Sequence, residues 1–139
     1  MATATAPIHV ASARRTAALR AWLAASGYDA PGVRTLLGAA STSLVDAVGA
    51  PAARRRLAIA DTPSAVLARL FLLGDDVSAG DAARRLGPLA DELVALGLVA
   101  PSGSVLRPAV RLVPHDHLLI ASDLPGAGGA DHVAAVHRP

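Results

Sequence analysis

His115-Asp116-His117 is the first group of residues in the chain that could do chemistry, because in an extended segment positions 115 and 117 would present two imidazoles on one side. Two nitrogens are half of a transition-metal site. A third or fourth ligand would have to come from His9, His132 or His137, since the chain has no cysteine. Pro114 immediately upstream favours a turn instead, with Asp116 hydrogen-bonding its own backbone. No metal site is expected. Catalytic nucleophiles fare no better: with no Lys and no Cys, Schiff-base and thiolate chemistry have no residue to act through. A Gly-x-Ser-x-Gly elbow and a pair of catalytic carboxylates are also absent.

The stretch Asp123-Leu124-Pro125-Gly126-Ala127-Gly128-Gly129 follows the apolar run 117–122, as a cofactor-binding loop follows its strand. Such loops need glycine so that the backbone can approach a phosphate or a nucleoside closely. Here Pro125 and Ala127 occupy positions where an Asp-x-Gly-x-Gly-x-Gly pattern wants glycine. Only ten residues remain for the helix and strand that would complete the unit. The segment is expected to be a connector, and no cofactor is expected on this chain.

The remaining chemistry is that of arginine. Arg14, Arg15 and Arg20 cluster near the N-terminus, and Arg54-Arg55-Arg56 form a run. These six are the candidate contacts for a substrate or polyanion, although a solvated helix face would carry the same residues and no aromatic platform is evident beside them for base stacking. All thirteen basic residues are Arg, there is no Asn or Gln, and Glu92 is the lone glutamate. The formal net charge is only +2, so the isoelectric point near 10.4 reflects the high pKa of arginine more than an excess of cations. Charge is uneven: residues 1–70 carry eight Arg against three Asp, and residues 71–139 carry five Arg against eight acids. The halves are expected to face different partners.

The chain has 139 residues, 53% of them apolar, which suits one domain able to bury a core without disulfides. Its mean hydropathy of +0.44 does not indicate a membrane span. The longest uncharged run, residues 93–106, is broken by Gly97, Pro101 and Gly103 and is shorter than the roughly 20 residues a span needs. Residues 1–12 have no basic stretch followed by an apolar one, so a cytoplasmic location is expected. Heavy use of Ala, with Arg in place of Lys, resembles the codon bias of a high-GC bacterium.

A first helix is expected after Ser12 to about Ser26, with Leu19, Trp22 and Leu23 on one face and Gly27 as its stop. A turn over residues 28–32, short helices at 33–37 and 43–48, and a helical stretch from Pro51 follow. Asp61-Thr62-Pro63 supplies a cap and a first-turn proline for a helix ended by Gly74. Ser78-Ala79-Gly80-Asp81 has capping-box spacing and opens a helix closed by Gly87; another runs from Pro88 to Gly97. The period then changes, and residues 104–113 and 117–122 predict two strands around a turn at 114–116. The fold class expected is mainly α with a small β-hairpin: a helical bundle over 1–60, a winged-helix-like module over 61–124, and a linker over 125–139.

In a winged helix the third helix reads the major groove. Here its outward positions are Ala90, Asp91, Glu92 and Ala95, and carboxylates repel a phosphate backbone. A packing or protein-contact role is favoured over sequence-specific DNA binding.

Seven segments in order carry a resemblance: Leu19-Arg20 to Tyr28, Gly32-Val33 with Leu36-Leu37-Gly38, residues 67–74, Leu96-Gly97-Leu98-Val99, residues 107–114, Ala121-Ser122-Asp123-Leu124, and Asp131-His132-Val133. Together they resemble the N-terminal domain of actinobacterial class I S-adenosylmethionine-dependent methyltransferases, similar to the HemK/PrmC N-methylases. The resemblance implies a helical bundle with a winged-helix-like module, followed after the His-Val segment by a separate catalytic domain. That domain would carry the S-adenosylmethionine loop and an Asn-Pro-Pro-aromatic acceptor motif. This chain has no Asn, so it cannot hold the acceptor motif. The implied role is an accessory or substrate-recognition domain that partners a methyltransferase catalytic domain in cis or in trans and meets a protein or nucleic-acid substrate. A small winged-helix DNA-binding regulator and a protein–protein adaptor are the alternatives.

Overall fold

A computed structural model of the chain describes residues 13–38, 50–124 and 133–136. Helix α1 (Ala13–Ala25) is turned inward by Leu19 and Leu23, one helical turn apart and both buried. Gly27 ends it with a positive φ of 82°, and the Tyr28 N–H returns to the Leu23 carbonyl. The turn expected over 28–32 is instead the start of α2 (Ala30–Leu37). Asp29 is its N-cap, accepting the Gly32 N–H at 2.8 Å, and Pro31 sits in the first turn, where a missing N–H costs nothing. The helix expected over 43–48 lies outside the described residues.

Helices α3 (Ala50–Ile59) and α4 (Pro63–Phe71) come next. Thr62 caps α4 by accepting the Ala65 N–H at 3.3 Å. Ala65, Val66, Leu67, Ala68, Leu70 and Phe71 are all buried, so α4 is covered nearly all round and forms the centre of the molecule. A two-residue strand β1 (Val77–Ser78) leads into α5 (Ala79–Leu86) and α6 (Pro88–Ala95). The Ser78 hydroxyl accepts the Asp81 N–H, as the capping-box spacing predicts.

Among the described residues there are six strands where two were expected. Strands β2 (Val99–Ser102) and β3 (Val105–Pro108) make a hairpin, and β1 joins β3, giving an antiparallel sheet of order β1-β3-β2. Strands β4 (Arg111–His115), β5 (Leu118–Ser122) and β6 (Val133–Val136) form a second antiparallel sheet in sequence order. The predicted single strand over 104–113 is divided because β3 ends at Pro108, after which the Ala109 N–H bonds the Leu98 carbonyl and the chain leaves the first sheet. Pro114 is not in the turn either. It lies within β4, an outer strand where a missing donor is tolerated, opposite Leu119. The two-residue turn is Asp116-His117, with Asp116 at φ +51°, a conformation its short polar side chain tolerates. Residues 133–136, assigned from sequence to a linker, pair with β5 from Leu119↔Val136 to Ser122↔Val133.

The fold is thus a mixed one of helices with two small antiparallel sheets. Its core is continuous from Leu19 and Leu23 through α2 to α6 to Leu112, Leu119 and Ala121, crossing residue 60 without a break. No helix among the described residues is long and apolar enough to cross a membrane.

Candidate functional site

The six arginines singled out from the sequence are carried by α1 and α3 and turn to different neighbours. On α1, the Arg15 guanidinium donates to Glu92 on α6 at 2.7 Å. This hydrogen bond, helped by the opposite charge, holds the Glu92 carboxyl below the usual carboxylate range and raises the Arg15 pKa. Arg20 donates to the His117 carbonyl in the β4–β5 turn. Arg14 is exposed. On α3, Arg54 grips Asp75 with two parallel hydrogen bonds of 3.0 Å, the planar fork meeting both carboxylate oxygens. Arg55 is exposed, and the Arg56 guanidinium lies against Gly38, the C-cap of α2, where the negative end of the helix dipole favours a cation.

Asp76, next in sequence to Asp75, is held by Arg107 of β3 at 3.2 and 3.3 Å. The Asp75-Asp76 loop therefore ties α3 to the first sheet through two forked pairs. Arg84 pairs with Asp81 on its own helix, and Arg85 reaches Asp61 before α4. These pairs engage Asp75, Asp76, Asp81 and Glu92, four of the eight acids of residues 71–139, and Asp61 of the first half. Arg14, Arg34, Arg55, Arg56 and Arg69, all on α1 to α4, have no carboxylate partner among the described residues. Arg34 and Arg69 were not among the candidates; as isolated residues they gave no cluster for a sequence reading to notice.

Trp22 departs from expectation. The sequence places it with Leu19 and Leu23 on the buried face, but its side chain is 43% exposed. The buried stripe of α1 is narrow, Leu19 and Leu23 alone, and one residue from Leu23 is a rotation of about 100° out of it. An aromatic surface thus accompanies the arginines of α1 after all, contrary to the sequence reading.

One cleft, of about 110 Å³, opens where α1 and the start of α2 meet the β4–β5 hairpin. Leu23, Tyr28, Pro114 and Leu119 floor it, with Arg20 and Asp116 beside them. The Tyr28 hydroxyl donates to the Leu112 carbonyl, so both Tyr28 and Arg20 hold the hairpin by its backbone. Burial pushes the Tyr28 hydroxyl well above its ordinary pKa, opposed by the nearby Arg111 cation. The cleft is smaller than the roughly 300 Å³ at which cofactor pockets begin. His115 and His117 stand at the hairpin end, exposed, with Asp116 at 3.8 Å from His115. Among the described residues no three ligating side chains come together as a metal site would require; His9, His132 and His137 lie outside them.

The outward side of α6 offers exposed Asp91 and half-buried Glu92, the latter engaged with Arg15. In comparisons with known proteins, one family model matches, over residues 25–109, described as a domain of unknown function (DUF7059). No curated protein matches, and no solved structure matches.

Proposed function

We propose that the chain, which belongs to the DUF7059 family, a domain of unknown function, is a substrate-recognition or accessory module of an S-adenosylmethionine-dependent methyltransferase, on the resemblance of its motifs alone. The motifs quoted above resemble the N-terminal domain of such enzymes. The order β1-α5-α6-β2-β3, with the last strand between the other two, supports a winged-helix-like module packed on an N-terminal helical bundle. In this reading the catalytic domain, in cis or in trans, binds S-adenosylmethionine and performs the transfer, and the protein works in the cytoplasm. The cleft at α1 and the hairpin is too small for that cofactor, and no step of methyl transfer is assigned to this chain.

The observation that carries the reading is the Arg15–Glu92 pair. In a DNA-reading winged helix, the outer face of the third helix must be open and basic. Here α6 presents Asp91 and commits Glu92 to α1, so the face that would meet DNA carries negative charge and an intramolecular partner. This favours the accessory role over the regulator, and the arginines of α1 and α3 are the better contact surface for substrate. A gel shift with random duplex DNA tests the choice. The accessory reading expects no retention of duplex; a complex that forms at low salt and is lost steeply as salt rises would favour the regulator.

A further inference from the structure

The charge left after intramolecular pairing and the exposed indole of Trp22 meet on α1. Arg14, Ala18 and Trp22 follow one another at intervals of four residues, which places them on one ridge, with Arg14 far from the buried stripe of Leu19 and Leu23 and Trp22 at its border, 43% exposed. The ridge is about 12 Å long. Ala18, Ala21 and Ala25 beside the indole are too short to cover it. On the helices beyond α1, Arg34, Arg55, Arg56 and Arg69 again have no carboxylate partner among the described residues, while Asp61, Asp75 and Glu92 are each held by an arginine. The surplus charge calls for an anion and the open indole for a flat ring. An acidic peptide supplies the first without the second, and a duplex hides its bases. Single strands supply both at every residue.

We propose that the Arg14-Ala18-Trp22 ridge of α1 is a docking site for single-stranded nucleic acid, with a base stacked on Trp22 and a neighbouring phosphate drawn to Arg14. Guanidinium suits this role because its planar fork matches phosphate oxygens and it stays charged at any physiological pH. The proposal rests on the reading of the helical half as the contact surface and narrows it to a partner class.

Trp22 is the sole tryptophan, so its fluorescence reports the site directly. Titrating the protein at low salt with an oligouridylate of about twelve nucleotides, and in parallel with the equivalent oligothymidylate, is expected to quench Trp22 emission with at least one of them. The affinity should fall steeply as salt rises. Measured by anisotropy of a labelled oligonucleotide, Trp22→Leu should weaken binding about tenfold or more. Arg14→Glu keeps the fluorophore and should weaken both signals, which covers the case in which the tryptophan variant does not fold. Binding that leaves Trp22 emission unchanged, equal affinity of wild type and a folded Trp22→Leu, no binding of either oligonucleotide, or equally tight capture of polyglutamate would each overturn the proposal. The assay contains no methyltransferase domain and no S-adenosylmethionine, so its failure would leave the accessory role untouched.

Discussion

The Arg15 guanidinium of α1 donates to Glu92 of α6 across 2.7 Å, joining the N-terminal helix to the third helix of the α4-to-β3 unit. The pair is partly exposed, so its energetic contribution is small and screened by salt. Its consequence is geometric: a carboxylate that could repel a partner is turned toward an internal one.

Acid stability should report this pair. Because Arg15 depresses the Glu92 carboxyl in the folded state, its contribution is present above the unfolded value of about 4.3 and disappears as pH falls through the lower, folded value. Urea midpoints measured from pH 6 down to pH 3 should decline for the wild type. Glu92→Gln should start lower and decline less over the acidic end of that range; identical pH profiles would show that the pair does not form in solution.

Tyr28 gives the opposite dependence. Its hydroxyl is buried, bonded to the Leu112 carbonyl, and raised well above its ordinary pKa, so its contribution persists below about pH 10 and is lost as pH climbs toward the folded value. It is the lone tyrosine, and tyrosinate absorbance near 295 nm should therefore appear together with unfolding. Titration near pH 10 in the still-folded protein would contradict the burial. Tyr28→Phe should cost about 1–2 kcal/mol in urea denaturation, from a carbonyl left without its donor.

Much of this architecture is legible in the sequence for a physical reason: caps are local. Thr62, Ser78 and the Gly27 and Gly87 stops lie within a few residues of the groups they satisfy. The sheets were not legible to the same degree, because β1 is two residues long and β6 shows its partner only once β5 is in place. The candidate site divides along the same line. The Arg54-Arg55-Arg56 run is visible as a string, whereas nothing local says that Arg54 grips Asp75 or that Trp22 faces outward. Both depend on what α1 and α3 pack against.

Glycines at two positions should respond differently to alanine. A Cβ at Gly32, in the first turn of α2, would run into the Gly27 carbonyl, a backbone group that cannot swing aside. Gly103, in the β2–β3 turn, has open space around it and only a positive φ of 59° to oppose a side chain. Gly32→Ala should cost about 1–3 kcal/mol as an overpacked site, and Gly103→Ala about 1 kcal/mol, in equilibrium urea unfolding. The reverse order would contradict the close approach of α2 to the end of α1.

Leu93 on α6 is fully buried in the shared core. Leu93→Ala should destabilise the whole molecule by about 2–5 kcal/mol in a single cooperative transition, since the core runs unbroken from α1 to the second sheet. Two separate transitions would mean that the helical and sheet portions fold independently.

The proposal that this chain is an accessory module, with S-adenosylmethionine bound by a separate catalytic domain, is open to isothermal titration of S-adenosylmethionine into residues 1–139. No saturable heat is expected. Micromolar binding with one-to-one stoichiometry would contradict it.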